Sequence, residues 1–485
     1  MQLKKHFSHI LIVVCLPFVL WAVCGILPTF DDYTSLQSPW WVQIADPGYF
    51  FPDAVRRPFD FLFGCLLGRF PDLFPVLNHV VIILGHTANA LLVFSICHRL
   101  QFGVMATNIA TLFFFFSPAT LGVTLACDGL NQTFAQSWGL MALWAYLSHH
   151  SFPKHLWLVC VAMAALSKEN GLAWAVVPPV LAFAFGLTSL RQTARDIGKG
   201  LLLAVAYFVV LTLLIHSGIA PIDYPDEYVQ TTPLSHLKDL VQVLAYTWVP
   251  LDYMSAVYPP TRNLTIVAVT VLMALPFLLF LASRWRMLLT RRLLLLLACF
   301  FILVSPHLLT VVSIMHNYAA LSMAAVIVAC LLSQPSPLCS RGFVISVFLF
   351  MAAAIFTDMH HHQAARQSGL LGKSLAMQAI STAEKPLERV FCINIDDEAE
   401  PRYSNFCVRP VDAFAWGLSV RHYSHYSWKT DIAETTLTHY DPQVVDALAK
   451  NALEAGYEAV WVVGHRSDSL TIYNRQITQT LHQQQ

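Results

Sequence analysis

VLNHVVIILGHTANALLVFSIC, residues 76–97, contains no Asp, Glu, Lys or Arg, and it is long enough to cross the hydrocarbon core of a bilayer as one α-helix. At 100° per residue its polar side chains Asn78, His79, His86 and Asn89 project within an arc of about 100°. Lipid cannot solvate such a stripe, so it faces protein or a cavity. Interhelical hydrogen bonding and ligand binding are both open readings of it.

Apolar runs of the same kind recur outward from this one, at about 9–27, 103–124, 130–148, 155–169, 171–187, 200–216, 264–282, 293–312, 318–333 and 342–357, which makes about eleven spans. Closed β-barrels lack such runs, so the spans are helical. The composition agrees: 56% of residues are hydrophobic, 12% are charged and the mean hydropathy is +0.57. Lys plus Arg and Asp plus Glu both number 29, and the basic residues form no long cluster, so no nucleic-acid partner is expected. The first run follows Lys4 and Lys5, is too long for a signal peptide and is followed by no cleavage site. It is therefore read as an anchor with a cytoplasmic N-terminus. Arg99, Lys154, Arg191, Arg195, Lys199, Arg284, Arg286, Arg291, Arg292 and Arg341 fall in alternate loops, which places those loops inside and the tail outside.

Residues 28–75 and 217–263 form the two long outer loops, where aromatics interleaved with charge suggest short helices at the membrane surface. After Thr357 the composition turns polar. Strands at Val390–Ile395 and Ala459–Val463 flank a helix near Pro442–Ala455, which predicts a small α/β domain over 358–485. The expected fold is an all-α polytopic membrane protein, N-in and C-out, with a large non-cytoplasmic first loop and that soluble C-terminal domain. Most of the 11 cysteines lie in apolar runs, without metal-ligand spacing, and read as small core residues. Cys392 and Cys407 could pair in an oxidising compartment.

Asp31 and Asp32 follow the first span, where a carboxylate can take a proton from an acceptor hydroxyl or ligate a divalent cation. Solvated carboxylates capping a surface helix are the plainer reading. Arg56 and Arg57 precede Pro58 on the same outer face as Lys168 and Glu169, and such cations can hold a phosphate. Against this stand an interfacial anchor for the arginines and a local Lys168–Glu169 ion pair. Asp128, Asn131 and Gln132 sit at another outer corner, where helix capping is the favoured role. His316 and Tyr318 open an apolar run and are read as packing residues. His360, His361 and His362 are read as a solvated stretch, since no carboxylate or cysteine follows at ligand spacing.

These pieces, taken in order, resemble the type C glycosyltransferases, and most of all the branch of protein O-mannosyltransferases and their tetratricopeptide-bearing relatives. Phe30-Asp31-Asp32-Tyr33 resembles the acidic motif of the first outer loop, and Arg57-Pro58-Phe59 the Arg-Pro-Leu segment. Leu77-Asn78-His79, His86 and Asn89-Ala90-Leu91-Leu92 are similar to the second helix, Ser117-Pro118 with Asp128 to the third outer corner, and Leu166-Ser167-Lys168-Glu169 to the Ser-Lys-Glu motif. Met315-His316-Asn317-Tyr318 stands where many relatives have Glu-Arg-Tyr, so Asn317 replaces an expected arginine, and the tetratricopeptide array is absent.

The resemblance implies a transmembrane glycosyltransferase domain over 1–357. Its donor would be a polyprenyl-phosphate sugar and its acceptor a glycan, lipid or protein on the non-cytoplasmic face, with inversion. It implies Asp31 or Asp32 as base, with Asp31 favoured, and Arg57, Lys168 or Arg262 on the donor phosphate. Asn78, His86, Asp128, Glu169, His316 and Tyr318 would line the substrate cavity. No tightly bound cofactor is expected, although a carboxylate pair is compatible with Mg or Mn. A bacterial cytoplasmic membrane is the expected location, with the endoplasmic reticulum as alternative because Asn131-Gln132-Thr133 and Asn263-Leu264-Thr265 are glycosylation acceptor patterns. A transporter or flippase of lipid-linked sugars is the competing reading, but the symmetry-related halves it predicts are not visible. A scaffold without activity is the third.

Overall fold

The structure, a computed structural model, describes residues 6–30, 32–33, 57–67, 70, 73, 75–148, 153, 155–217, 232–252, 255–256, 263–284, 286, 290–309, 314–333, 341–396, 409–425, 427–465 and 470–474. Asp31, Arg56, Arg262 and Cys407 lie outside these residues, and of Asp128 only the backbone is described. The chain divides into two compact units. One comprises Met1–Val23, Ser38–Asp252 and Val267–Met359, and the other Cys24–Gln37, Tyr253–Ile266 and His360–Gln485.

The first unit is helical: α1 (Phe7–Cys24), α2 (Pro58–Leu67), α3 (Val76–Arg99), α4 (Val104–Phe115), α5 (Leu121–Thr124), α6 (Leu130–Leu147), α7 (Leu156–Ser167), α8 (Val177–Ala184), α9 (Leu190–His216), α10 (Pro233–Trp248), α11 (Leu264–Ala282), α12 (Arg291–Val304) and α13 (Asn317–Leu332). α11 begins in the second unit, and α14 (Arg341–Thr382) runs on into it. Except for Ala319, every residue of α13 is buried. It packs against α4 and α12, and its many Ala residues with Ser322 let the neighbouring backbones come close. α9 is the opposite case, presenting Leu201, Leu202, Val205, Phe208, Val209 and Leu213 to its surroundings. Water would penalise so large an apolar face, which fits a helix solvated by lipid.

By length and composition α1, α3, α9, α11, residues Arg291–Leu308 and α14 are six candidate spans among the described residues, and α4 with Pro118–Thr124, bent by 45°, makes a seventh. The remaining apolar runs differ from the expected full spans. α6 is too polar at its N-terminal end, α13 is only 16 residues long, and the runs at 155–169 and 171–187 yield only α7 and α8, 12 and 8 residues long, with a 3-10 helix at Glu169–Ala175 between them. The polar turn expected after Thr357 is not a helix end, because α14 continues for 42 residues, or about 63 Å. His360–His362 lie within it, and His361 is buried, not solvated. Residues from Ala365 to Ala379 keep one apolar stripe at helical spacing, with Ala365, Leu375, Ala376 and Ala379 buried.

In the second unit β1 (Arg389–Ile395), β2 (Asp431–Leu437), β3 (Ala459–Val463) and β4 (Thr471–Asn474) form one sheet in the order β2-β1-β3-β4. β1 pairs parallel to β2 and β3, and β4 closes the edge antiparallel. The pleat sends alternate residues to opposite faces. Val390, Cys392, Ala459, Trp461 and Val463 meet Leu375, Ala376 and Ala379 of α14 together with Phe414 and Trp428. Ile393, Ile395, Val460 and Val462 meet Val445, Ala449, Ala452 and Leu453 of α16 (Pro442–Glu454), which is numbered after α15 (Leu418–Tyr423). Both faces are covered, which is why β3 reads as an unbroken apolar run. Cys392 is a free buried thiol in β1.

Candidate functional site

Three polar constellations carry the residues singled out by sequence, two in the first unit and one in the second. In the first unit the decisive element is the break after α7. Lys168 is extended (φ −158°, ψ 140°), and the 3-10 helix then starts at Glu169. Gly171 makes the break possible: a Cβ there would stand 2.4 Å from the backbone carbonyl of Ala164. The turn projects Lys168, Glu169 and Asn170 toward different partners.

Glu169 does not pair locally with Lys168. Its carboxylate instead accepts from Arg57, with Nε 3.1 and 3.2 Å from the two oxygens and Nη2 2.9 Å from Oε2. This two-point geometry fixes the guanidinium plane as well as its position. Lys168 Nζ reaches Asn131 Oδ1 at 3.5 Å. Asn170 Nδ2 lies 3.3 Å from Gln132 Oε1 and 2.9 Å from His307 Nε2. Asn131 and Gln132 therefore tie α6 to this break and do not cap their own helix, whose N-cap Gly129 makes no side-chain cap bond. Burial of Asn131 also removes it from the surface that its acceptor pattern suggested.

His307 stacks on His316 with ring centroids 4.5 Å apart and planes at 18°. Burial, then the His307 ring and the Lys168 cation, hold His316 well below its ordinary pKa. His236 on α10 lies 2.6 Å from the Leu308 carbonyl, which fixes the segment carrying His307. The site thus gathers Arg57, Lys168, Glu169 and His316 of the sequence-predicted set, and adds Asn170 and His307. His307 had a signal, since an ionisable residue in an apolar run is exceptional. Asn170 had only its place after Ser-Lys-Glu.

The stripe on α3 is a separate structure. Asn78, His79, His86 and Asn89 are all buried. His86 Nε2 lies 3.1 Å from the Phe115 carbonyl and must donate to it, so Nδ1 accepts from the Tyr318 hydroxyl at 2.9 Å. Asn89 Nδ2 also reaches that hydroxyl, at 3.1 Å, and Asn78 Nδ2 donates to the Cys127 carbonyl at 3.2 Å. His86 and Tyr318 join α3, α4 and α13 through hydrogen bonds.

In the second unit, Asp32 is buried. Its Oδ2 accepts from Thr29 N at 2.9 Å and from Thr29 Oγ1 at 3.4 Å, while its own amide donates to the Thr29 carbonyl at 2.8 Å. These reciprocal bonds close a turn between Thr29 and Asp32. The turn is gripped from both ends. The Phe30 ring lies 4.4 Å from Trp416, and buried Tyr33 places its hydroxyl 3.3 Å from that of Tyr423. Asp31 and Arg262 fall outside the described residues, and the described ones contain no cluster of three His, Cys, Asp or Glu side chains able to hold a metal.

No family profile matches the chain, and no curated protein matches it in sequence. Among solved structures it is similar to ArnT from Cupriavidus metallidurans bound to undecaprenyl phosphate, with a TM-score of 0.50 and 12% identity over 94% of this chain and 93% of that one. The apo state of the same protein aligns with a TM-score of 0.48 and 13% identity, over 94% and 92% of the two chains. The first correspondence runs through nearly the whole of both chains, so the likeness is one of complete fold. With its apolar spans, this chain is a multi-pass membrane protein of ArnT-like fold.

Proposed function

We propose that the chain is a type C glycosyltransferase that moves a sugar from a polyprenyl-phosphate donor to an acceptor hydroxyl on the non-cytoplasmic face, with inversion at the anomeric carbon. The observation that carries this reading is the Arg57–Glu169 clamp beside Lys168, two cations set by a helix break in a fold shared with a protein solved with undecaprenyl phosphate. Assignment to the O-mannosyltransferase branch rests on the motif order between Phe30 and Glu169 alone.

In this mechanism the acceptor oxygen forms its bond to C1 as the bond from C1 to the phosphate oxygen breaks. The electron pair leaves with the polyprenyl phosphate and the hydroxyl proton passes to a carboxylate. Since phosphate is already a good leaving group, the protein supplies a base and fixed positive charge where negative charge develops. Arg57 and Lys168 are assigned to the phosphate. Asp31 is assigned as base, and Asp32 as the residue that holds the turn presenting it, in keeping with the Asp32–Thr29 bonds. The membrane is proposed to be a bacterial cytoplasmic membrane with the C-terminal domain outside.

The test is release of undecaprenyl phosphate from a panel of undecaprenyl-phosphate sugars by the full chain in lipid, offered glycan, glycolipid and peptide acceptors. Wild type should turn over one donor. Asp31→Asn should abolish release while the protein still inserts in the membrane; retained turnover in that variant sinks the assignment of the base. Silence of the wild type across the panel removes the transferase reading and leaves translocation of lipid-linked sugars to be measured in vesicles.

A further inference from the structure

Trp416 is 55% exposed, although Phe414, Ala415 and Gly417 around it are buried. Its backbone is as unusual as its exposure. Ala415 (φ 45°, ψ 55°), Trp416 (φ 54°, ψ 26°) and Gly417 (φ 94°, ψ −9°) are three successive left-handed residues, two of them not glycine. Such a run persists only where its surroundings over-determine it, and strain of this kind gathers at ligand-binding positions. Here Phe414 is buried against Trp461 with centroids 4.8 Å apart, and Asp412 closes a reciprocal cap with Arg409. Gly417 lies so close to the Thr430 carbonyl that a Cβ would come within 2.2 Å of it. The result is an indole turned outward against Phe30, the residue that precedes Asp31.

Planar charged groups border the same spot. Arg409 bridges Asp412 (3.1 Å) and Glu434 (2.8 Å), and these three side chains surround a small depression together with Phe30 and Trp416. An apolar ring face next to guanidinium and carboxylate groups is complementary to a pyranose, whose axial C–H bonds form an apolar face and whose hydroxyls lie at its edge. At about 10 Å³ the depression is too small to take a sugar, so a ring would lie over it against the exposed indole.

We propose that the exposed indole of Trp416, backed by Phe30, forms a stacking platform for a sugar ring of the acceptor, with Arg409 and Glu434 as hydroxyl partners and Asp412 holding Arg409 in place. This rests on the transferase reading and narrows it: the acceptor is a glycan or a glycolipid head group. The C-terminal domain then determines acceptor specificity.

The platform can be tested apart from turnover, by saturation-transfer NMR of the full chain in lipid nanodiscs. The probes are methyl α-D-glucopyranoside, methyl α-D-mannopyranoside and methyl 2-acetamido-2-deoxy-β-D-glucopyranoside. Wild type should saturate the ring protons of at least one glycoside, Trp416→Ala should lose that signal, and Trp416→Tyr, which keeps an aromatic face, should retain most of it. In the transfer assay Trp416→Ala should raise the glycan KM about tenfold with a much smaller fall in kcat, the pattern of lost binding shared by ground and transition states. Glycoside saturation that survives Trp416→Ala, an unchanged acceptor KM, or transfer to a peptide unaffected by Trp416→Ala would each overturn the platform. A silent transfer assay with Trp416-dependent saturation would instead remove the transferase reading and uphold the platform.

Discussion

At the scale of single residues, the Arg57–Glu169 pair decides how the phosphate proposal is tested. Both side chains are about a fifth to a quarter exposed, so the pair itself contributes modestly to stability. Its value lies in aiming the guanidinium. Arg57→Ala should therefore lower kcat by about a hundredfold or more, the usual effect of deleting one group that stabilises developing charge, while leaving membrane insertion intact. Glu169→Gln can still accept one hydrogen bond and should fall less. Equal activity in Arg57→Ala and wild type would show that the phosphate binds elsewhere. A second residue-scale expectation concerns acid. Burial, then His425 and Lys373, push His422 down to about 4 from an ordinary 6.5. Between those values the unfolded chain binds a proton that the folded domain does not, so stability falls as pH drops from about 6.5 toward 4 and the loss levels off below. Thermal unfolding followed across that window should show this slope, and His422→Gln should flatten it.

At the scale of elements, the helix break at 168–171 shows what the sequence could and could not convey. Ser-Lys-Glu was legible as a motif because its residue types are rare in apolar surroundings. Its neighbours in space were not, since His307 lies 137 positions from Asn170 and no local pattern reports such a pairing. The gap between the runs at 155–169 and 171–187 was legible, but the 3-10 form of the chain that leaves it was not, since hydropathy sees burial but not backbone hydrogen bonding. β1, β3 and α16 were legible for the converse reason, because the strands are short apolar runs and the helix carries its own periodicity, each bounded by polar turns. The polar half of α14 was misread as a helix end: its overall polarity obscured an apolar stripe at helical spacing. The break makes a prediction of its own. Gly171→Ala forces a methyl into the Ala164 carbonyl, and backbone cannot swing aside as a side chain can. The change should cost about 1–3 kcal/mol as overpacking and shift Lys168 and Glu169 together. Thermal stability and transfer rate should both drop; a stable, fully active Gly171→Ala protein would mean that the break has no part in holding the cations.

At the scale of the whole molecule, the second unit is discontinuous in sequence, joining Cys24–Gln37 to His360–Gln485. Phe30, Asp32 and Tyr33 are thus folded with a domain that starts more than three hundred residues later. Sequence could place Asp31 and Asp32 after the first span, but Ala415 and Trp416, with left-handed backbones and ordinary side chains, gave no sign that the tail would meet Phe30 and Tyr33. This arrangement turns an apparently accessory domain into part of the motif's support. Phe30 loses Trp416, and Tyr33 loses Tyr423 and His422, if the tail is removed. A chain ended after Thr382 keeps all of α14 and every candidate span. It should still fractionate with membranes, because helix insertion depends on each apolar segment separately. Release of undecaprenyl phosphate should nevertheless fall below detection, since a base misplaced by about 1 Å already costs on the order of a hundredfold. Membrane fractionation and the release assay on the same preparation separate the two effects. Undiminished release from the shortened chain would show that the acidic turn is held by the first unit alone.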